Sequence, residues 1–300
     1  MRIVHLDAGR ELRGGQRQVL LLASGLARRG HSQVILARAE GPLYEEAARR
    51  GLPLLPLKAA TLAQEARRAD VVHAHDARAH TLAALAPAGA PLVVARRVAF
   101  PAPGGMLSRW KYGRASLLLA VSEFVKGQLI AGGIDVSRIR VIPDGAEPDG
   151  RPPRQPQTGL VVAPETRDPR KGSDLAAEAC RLAGVELKFS ARLEEDLPRA
   201  ALFLYLSRSE GLGSAILLAM AHRTPVVASA VGGIPEIVEP ERTGLLVENT
   251  PEAASAAIRR ALASPEWAAG LAAAAHERLL ACFTDHLMVE RTEQAYREVA

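Results

Sequence analysis

The feature that most constrains this chain is a cadence: short apolar runs alternate with amphipathic segments, and the pattern occurs twice along 300 residues. Ile3–Leu6, Gln33–Ala37, Val71–Ala74, Pro91–Ala95 and Leu117–Val121 are short, mostly apolar runs of the kind that strands buried on both faces require. Between them, stretches such as Gln16–Arg29, Leu43–Arg50 and Arg78–Ala86 carry a helical period. This alternation predicts a parallel sheet with helices on both sides. The cadence resumes with Leu160–Ala163, Val185–Phe189, Leu202–Leu206, Pro225–Ser229 and Gly244–Val247, and from Pro251 the chain reads as helix: Glu252–Ala263, Glu266–Ala281 and Asp285–Val299. Residues 143–158 are rich in proline and glycine, a composition that suits neither a helix nor a strand interior, so they are expected to be a linker. The fold class is therefore α/β, with two Rossmann-like, doubly wound domains at 1–142 and 159–284. A last helix at 285–300 is expected to pack back on the first domain. Such sheets take ligands beyond the carboxyl ends of their strands, which points to a shared cleft.

Composition narrows the function classes. Apolar residues make up 48% and charged residues 24%, the balance of a globular protein rather than a disordered one. The longest apolar runs, such as Ala215–Ala221, fall far short of the roughly 20 residues of a membrane span. Met1–Leu6 runs straight into a strand pattern without a secretory signal, and two cysteines, Cys180 and Cys282, do not suggest an oxidising compartment. A cytoplasmic protein is expected. Residues 1–150 hold 21 Lys and Arg against 13 Asp and Glu, whereas the second half holds 17 against 20. The basic half suggests an anionic partner: phosphates, a lipid surface or nucleic acid.

The stretch from Ser207 to Val247 is the most informative. A strand ends near Leu206, the loop Ser207–Gly213 follows, and a helix begins near Ser214. Gly211, Leu212 and Gly213 let a ligand approach the backbone, and the N–H groups at the helix start suit a diphosphate. Glu210 stands where a sugar hydroxyl can be held; the same residues also fit a plain strand–helix turn capped by Ser214. Glu210-Gly211-Leu212-Gly213, Ala219-Met220-Ala221, Pro225–Ser229, Val231–Val238 and Thr243–Val247, in this order and spacing, resemble the C-terminal signature of glycosyltransferase family 4. Further matches are Arg13-Gly14-Gly15-Gln16 with Gln18, Gly30-His31, Val71–His75, Arg96-Arg97-Val98, Ser108–Tyr112, Val121-Ser122-Glu123 and Val141-Ile142-Pro143. The resemblance implies a retaining, metal-independent enzyme of the two-domain GT-B type, with no cofactor and a nucleotide-diphosphate sugar as co-substrate. Glu210 would be its catalytic group that positions the donor sugar; among the histidines, His75, at the carboxyl end of its strand, is the one expected to be catalytic.

Other residues take their meaning beside that resemblance. The glycine pair Gly14-Gly15 follows the first strand and can offer backbone N–H groups to an anion or form a tight turn. In similar enzymes it lies beside the donor diphosphate or the acceptor. Arg167 and Lys171, preceding Gly172, are expected to neutralise the diphosphate, although the family's arginine falls one or two positions earlier. The family's second glutamate, which holds the ribose hydroxyls, is replaced by Leu218, and the segment from Phe189 to Leu202 is short enough to lack one βα unit. His73 and His75 face one side of a strand, near Asp76 and His80: a metal cluster, or core and substrate-facing groups. Arg96 and Arg97 after a strand can bind phosphate bidentately or be solvated charges. With Arg109, Lys111 and Arg114, interleaved with Phe100, Trp110 and Tyr112, they also suit an anionic membrane surface at the inner face. No RNA-binding signature accompanies them, so nucleic acid is not an expected partner. The expected acceptor is a cell-envelope glycan or lipid-linked sugar. The competing expectation is a non-catalytic GT-B binding protein or a partner subunit. Neither a dinucleotide fingerprint nor a nucleophile elbow is present, which leaves dehydrogenases and α/β-hydrolases without support.

Overall fold

The computed structural model describes residues 1–86, 89–102, 104–150 and 159–300. Half of the expected linker, 151–158, lies outside the described residues. The chain forms two compact units, Met1–Gly145 with Asp285–Ala300, and Ala146–Thr284.

The first unit is a seven-stranded, wholly parallel sheet in the order β3-β2-β1-β4-β5-β6-β7. Its strands are β1 (Arg2–Leu6), β2 (Ser32–Ala37), β3 (Leu54–Pro56), β4 (Val71–Ala74), β5 (Leu92–Arg96), β6 (Leu117–Ala120) and β7 (Ile139–Val141). The intervening helices are α1 (Gly14–Arg28), α2 (Pro42–Arg49), α3 (Ala59–Ala66), α4 (Ala77–Leu85), α5 (Met106–Gly113) and α6 (Glu123–Ala131). Strand order reverses between β1 and β4, the switch point at which such sheets present their ligand-binding loops. β3 and β7 escape the sequence pattern because they are three-residue edge strands, one bounded by Pro53 and Pro56 and the other carrying the half-buried Arg140.

The residues expected to begin the linker instead close this unit. Asp144 is only 3% exposed and accepts from Arg97 Nε at 2.9 Å, and Gly145 exchanges two hydrogen bonds with the Gln18 amide. Burial of that carboxylate with its partner holds 143–145 inside the first unit. The last helix of the chain, Asp285–Arg297, also belongs here: Met288, Val289, Ala295 and Tyr296 join Ile3, Leu22, Leu26, Val71, Val93 and Leu117 in one core. Fully burying a side chain such as Met288 or Val289 stabilises by roughly 1.5–3 kcal/mol.

The second unit is a five-stranded parallel sheet, β12-β11-β10-β8-β9, from β8 (Val161–Pro164), β9 (Leu187–Ser190), β10 (Leu202–Tyr205), β11 (Val226–Ser229) and β12 (Leu245–Val247). Its helices are α7 (Ser173–Ala183), α8 (Leu193–Asp196), α9 (Ser214–Ala221), α10 (Ile234–Ile237), α11 (Pro251–Ala263) and α12 (Pro265–Cys282), and the helix of the first unit described above is α13. Between β9 and β10 only α8 and a single 3-10 turn are found, so β9 is an edge strand with Lys188 and Phe189 exposed.

Candidate functional site

In the second unit, two loops leave the carboxyl ends of β8 and β10 and lock together. Ser207 Oγ donates to the Arg170 carbonyl at 3.2 Å, and Arg208 N donates to the same oxygen at 2.7 Å. Lys171 Nζ forms an ion pair with the Glu210 carboxylate, and Tyr205 Oη donates to Glu210 Oε2 at 2.6 Å. Burial, and then the adjacent Glu210, pushes the Tyr205 phenol well above its ordinary range, so it remains a proton-bearing donor. Glu210 Oε1 accepts from Gly211 N at 3.1 Å. Three groups separated by up to 39 residues therefore converge on one carboxylate, with the Lys171 side chain still 33% exposed.

α9 starts beside this cluster. Gly213 stands at its N-cap with φ +99°, a conformation that leaves the helix start without a capping side chain. The helix begins at Ser214, as the sequence pattern places it, and with Gly213 at the N-cap the alternative of Ser214 as the cap does not hold. Leu212 is buried and packs rather than facing a ligand. Leu218 lies one helical turn beyond Ser214 on the same half-exposed face, so an apolar side chain occupies the position of the expected second glutamate.

Arg167 and Lys171 do not line the same space. A cavity of about 560 Å³ is lined by Thr166, Arg167, Asp168, Arg170, Asp174 and Arg208, among others, and Lys171 is not in its lining. Arg170 is held by both oxygens of Asp168 at 3.0 and 2.7 Å, and Arg208 Nη1 donates to Asp174 at 2.9 Å. The hydrogen-bonded Arg170 and Arg208 pull Asp168 and Asp174, respectively, down to about 2. Among the described residues Arg167 is exposed and forms no ion pair, which makes it the cation there available to a new anion.

In the first unit, Gly14 and Gly15 begin α1. Gln16 Oε1 accepts from Arg13 N at 3.2 Å, and the Gln16 amide reaches Asp7 at 3.1 Å. Burial, and then Asp76, raises the Asp7 pKa. His75 is buried beyond the end of β4, against His73 and His5, and is lowered well below its ordinary pKa by burial first and by neighbouring His73 second. The ligand atoms of His5, His73 and His75 lie within 4.8 Å of one another, but His5 Nδ1 and His75 Nε2 meet at 3.0 Å, where they share a hydrogen bond.

The arginine doublet separates. Arg96 is buried and donates through Nη2 to the Phe100 and Pro101 carbonyls at 2.7 and 3.3 Å, so it staples the loop after β5 instead of facing an acceptor phosphate. Arg97 turns to Asp144. On α5, Lys111 Nζ donates to the Ala77 carbonyl at 3.0 Å, whereas Arg109 is exposed. Tyr112 anchors the helix inward, edge-on to His80, and leaves Met106 87%, Leu107 83% and Trp110 46% exposed.

Tyr205, Asp144, His5 and Gln33 carry no local sequence signal for their roles. Each becomes functional or structural only through a partner distant in the chain.

Comparison with known proteins agrees with this fold. Residues 12–149 match the model of Glycosyltransferase Family 4, and residues 153–264 match that of Glycosyl transferases group 1. The alpha-maltose-1-phosphate synthase of Mycolicibacterium smegmatis is 40% identical over 116 residues, covering 36% of this chain and 30% of that protein's length. Among solved structures, HepE of Anabaena in complex with UDP and glucose superimposes with TM-score 0.85 at 18% identity, over 98% of this chain and 99% of that one. A glycosyltransferase from Rickettsia africae gives TM-score 0.83 at 19% identity, over 99% and 98%. With one model matched on each half and a GT-B fold throughout, the chain belongs to the family 4 type of glycosyltransferases.

Proposed function

We propose that this protein transfers a sugar from a nucleotide-diphosphate donor to a hydroxyl of a cell-envelope glycan or lipid-linked acceptor, with retained anomeric configuration and without a metal. The observation that carries the reading is the convergence of Lys171, Tyr205 and Glu210 beside the α9 start. In this reading Lys171 and the backbone N–H groups near Gly213 and Ser214 stabilise charge on the departing diphosphate, Arg167 adds a second cation, and Glu210 orients the donor sugar. Gly14, Gly15, Arg97 and His75 belong to the sugar- and acceptor-facing end of the first unit. UDP and UDP-glucose in complexes of a structurally similar protein support a nucleotide-sugar ligand. The test is release of nucleoside diphosphate across a panel of donors, with the product anomer read by NMR; no turnover together with no donor binding at millimolar concentration removes the reading.

A second reading, a non-catalytic binder or a partner subunit of an active transferase, is favoured by Leu218. A leucine cannot accept from a ribose diol, and a missing charge-assisted hydrogen bond costs roughly 1.5–3 kcal/mol. Leu218→Glu is accordingly expected to tighten donor binding about ten- to a hundredfold by calorimetry. An unchanged Kd would show that the ribose does not lie against α9.

The acceptor side is proposed to meet an anionic bilayer at the inner membrane face through α5. Its outward Met106, Leu107 and Trp110, flanked by Arg109 and Arg114, combine apolar insertion with cationic attraction. No helix among the described residues is long and apolar enough to cross a membrane. Each basic side chain near such a surface contributes roughly 1 kcal/mol, so Arg109→Glu with Lys111→Glu is expected to weaken vesicle binding tenfold or more, as does added salt. Equal binding to neutral and anionic vesicles would remove the membrane reading.

A further inference from the structure

A buried chain of hydrogen bonds in the first unit leads from β2 to the end of β4. Gln33 Nε2 donates to the Ala23 carbonyl, an oxygen that can only accept, which fixes the orientation of the amide. Gln33 Oε1 consequently faces His5 Nε2 at 3.0 Å, and because this oxygen also only accepts, the His5 proton resides on Nε2. His5 is neutral near pH 7, since burial brings it down to about 4, with the Gln33 contact opposing that shift. Its Nδ1 thus carries a lone pair and no proton. That atom lies 3.0 Å from His75 Nε2, which must therefore be the donor. His75 Nδ1 is left as a bare acceptor, and it is buried with no hydrogen-bonding partner. The ring is held from the other side by His73, with centroids 3.9 Å apart, and His73 Nδ1 in turn meets Tyr296 Oη at 2.6 Å.

We propose that Gln33 is a positioning residue for His75: acting through His5, it fixes His75 as the Nε2–H tautomer and presents Nδ1 as the acceptor for a sugar hydroxyl. The sugar contact rests on the transferase reading; the tautomer does not. A Gln33 amide held at its far end by Ala23 cannot flip to donate, so the direction of the whole relay is set by one helix carbonyl. The other arrangement, His75 protonated on Nδ1, would set two bare nitrogens against each other across 3.0 Å.

The test uses the full chain labelled with ¹⁵N at histidine, with signals assigned through His5→Asn and His75→Asn. Two-bond ¹H–¹⁵N correlations at pH 7.5 are expected to show both rings as neutral Nε2–H tautomers, with His75 Nδ1 in the unprotonated range. In Gln33→Met, which keeps the bulk and loses the acceptor, His75 is expected to move to a tautomer mixture, and kcat with a nucleotide sugar is expected to fall while donor affinity changes little. A wild-type His75 that is protonated on Nδ1, or is an imidazolium, overturns the proposal, as does a folded Gln33→Met protein with an unchanged His75 spectrum. Should Gln33→Met fail to fold, the wild-type spectrum decides alone. A protein without transferase activity but with the expected spectrum would retain the relay and lose only its sugar.

Discussion

Replacing Lys171 with methionine is expected to lower kcat/KM for the donor by about 10²–10³-fold, the usual cost of removing one preorganised group that stabilises a developing anion. Lys171 is poised for this role without being consumed by it: its Nζ pairs with Glu210 and lies 3.5 Å from the Tyr205 hydroxyl, yet a third of its side chain is exposed. In the proposed function, an incoming diphosphate would compete with the Glu210 carboxylate for the Lys171 ammonium. Glu210 would keep Tyr205 and the Gly211 N–H as donors, so the released carboxylate is free to meet a sugar hydroxyl without being stranded. For the same reason Lys171→Met is expected to move the thermal midpoint by only a few degrees. Arg170→Met is the contrast. Its guanidinium is already held by both oxygens of Asp168 and is largely exposed, and its loss is expected to change kcat/KM by less than about threefold, as befits a surface pair. Steady-state assays with the best donor, or calorimetry with the nucleoside diphosphate, distinguish the two; equal losses would mean that Lys171 has no special place in the site.

Gly232→Ala carries the largest expected effect on stability. A Cβ at this position would stand 1.8 Å from the Glu210 carbonyl oxygen and 2.9 Å from its carbon, and the residue has φ +58°. Both obstacles are backbone, so no side-chain rotation relieves them, and the left-handed conformation adds about 1–2 kcal/mol for any residue with a Cβ. Forcing atoms into such a contact costs another 1–3 kcal/mol or more. The expected loss is on the order of 3–5 kcal/mol, which lowers the thermal midpoint by roughly 10 °C. The displaced partner is the loop bearing Glu210, so donor binding is expected to fall in the same variant. Gly270→Ala is the control: it lies exposed in α12 with nothing within 4 Å of a built Cβ, and it is expected to stabilise by about 0.5–1 kcal/mol. A Gly232→Ala protein with wild-type stability would mean that the 207–213 and 231–234 loops do not pack as described.

Much of this was legible in the sequence, and the reason is local. β4 appears residue for residue as Val71–Ala74 because a strand buried on both faces leaves a near-continuous apolar run, interrupted here only by His73. β3 and β7 are three-residue edge strands, too short to leave such a mark, and β7 carries Arg140 at its centre. The doublet Arg96-Arg97 reads as one motif along the chain, yet β5 ends between the two residues, and their guanidiniums end on the Phe100 carbonyl and on Asp144. Likewise the glycine loop with Glu210 and the pair Lys171-Gly172 announce themselves, but Tyr205 does not: its phenol becomes a partner of Glu210 only where β10 ends.

The sequence by itself determined the strand–helix cadence, the two-sheet fold, the glycine-bearing loops and the loss of a carboxylate at Leu218, because each is expressed among neighbouring residues through burial and turn chemistry. Only the tertiary structure decided that Arg96 is a staple, that Asp144 closes the first unit, that Lys171 is set against Glu210 and that Gln33 stands behind His75. Those pairings join residues up to 70 positions apart, and they depend on strand order and register, which bring side chains together that no local pattern relates.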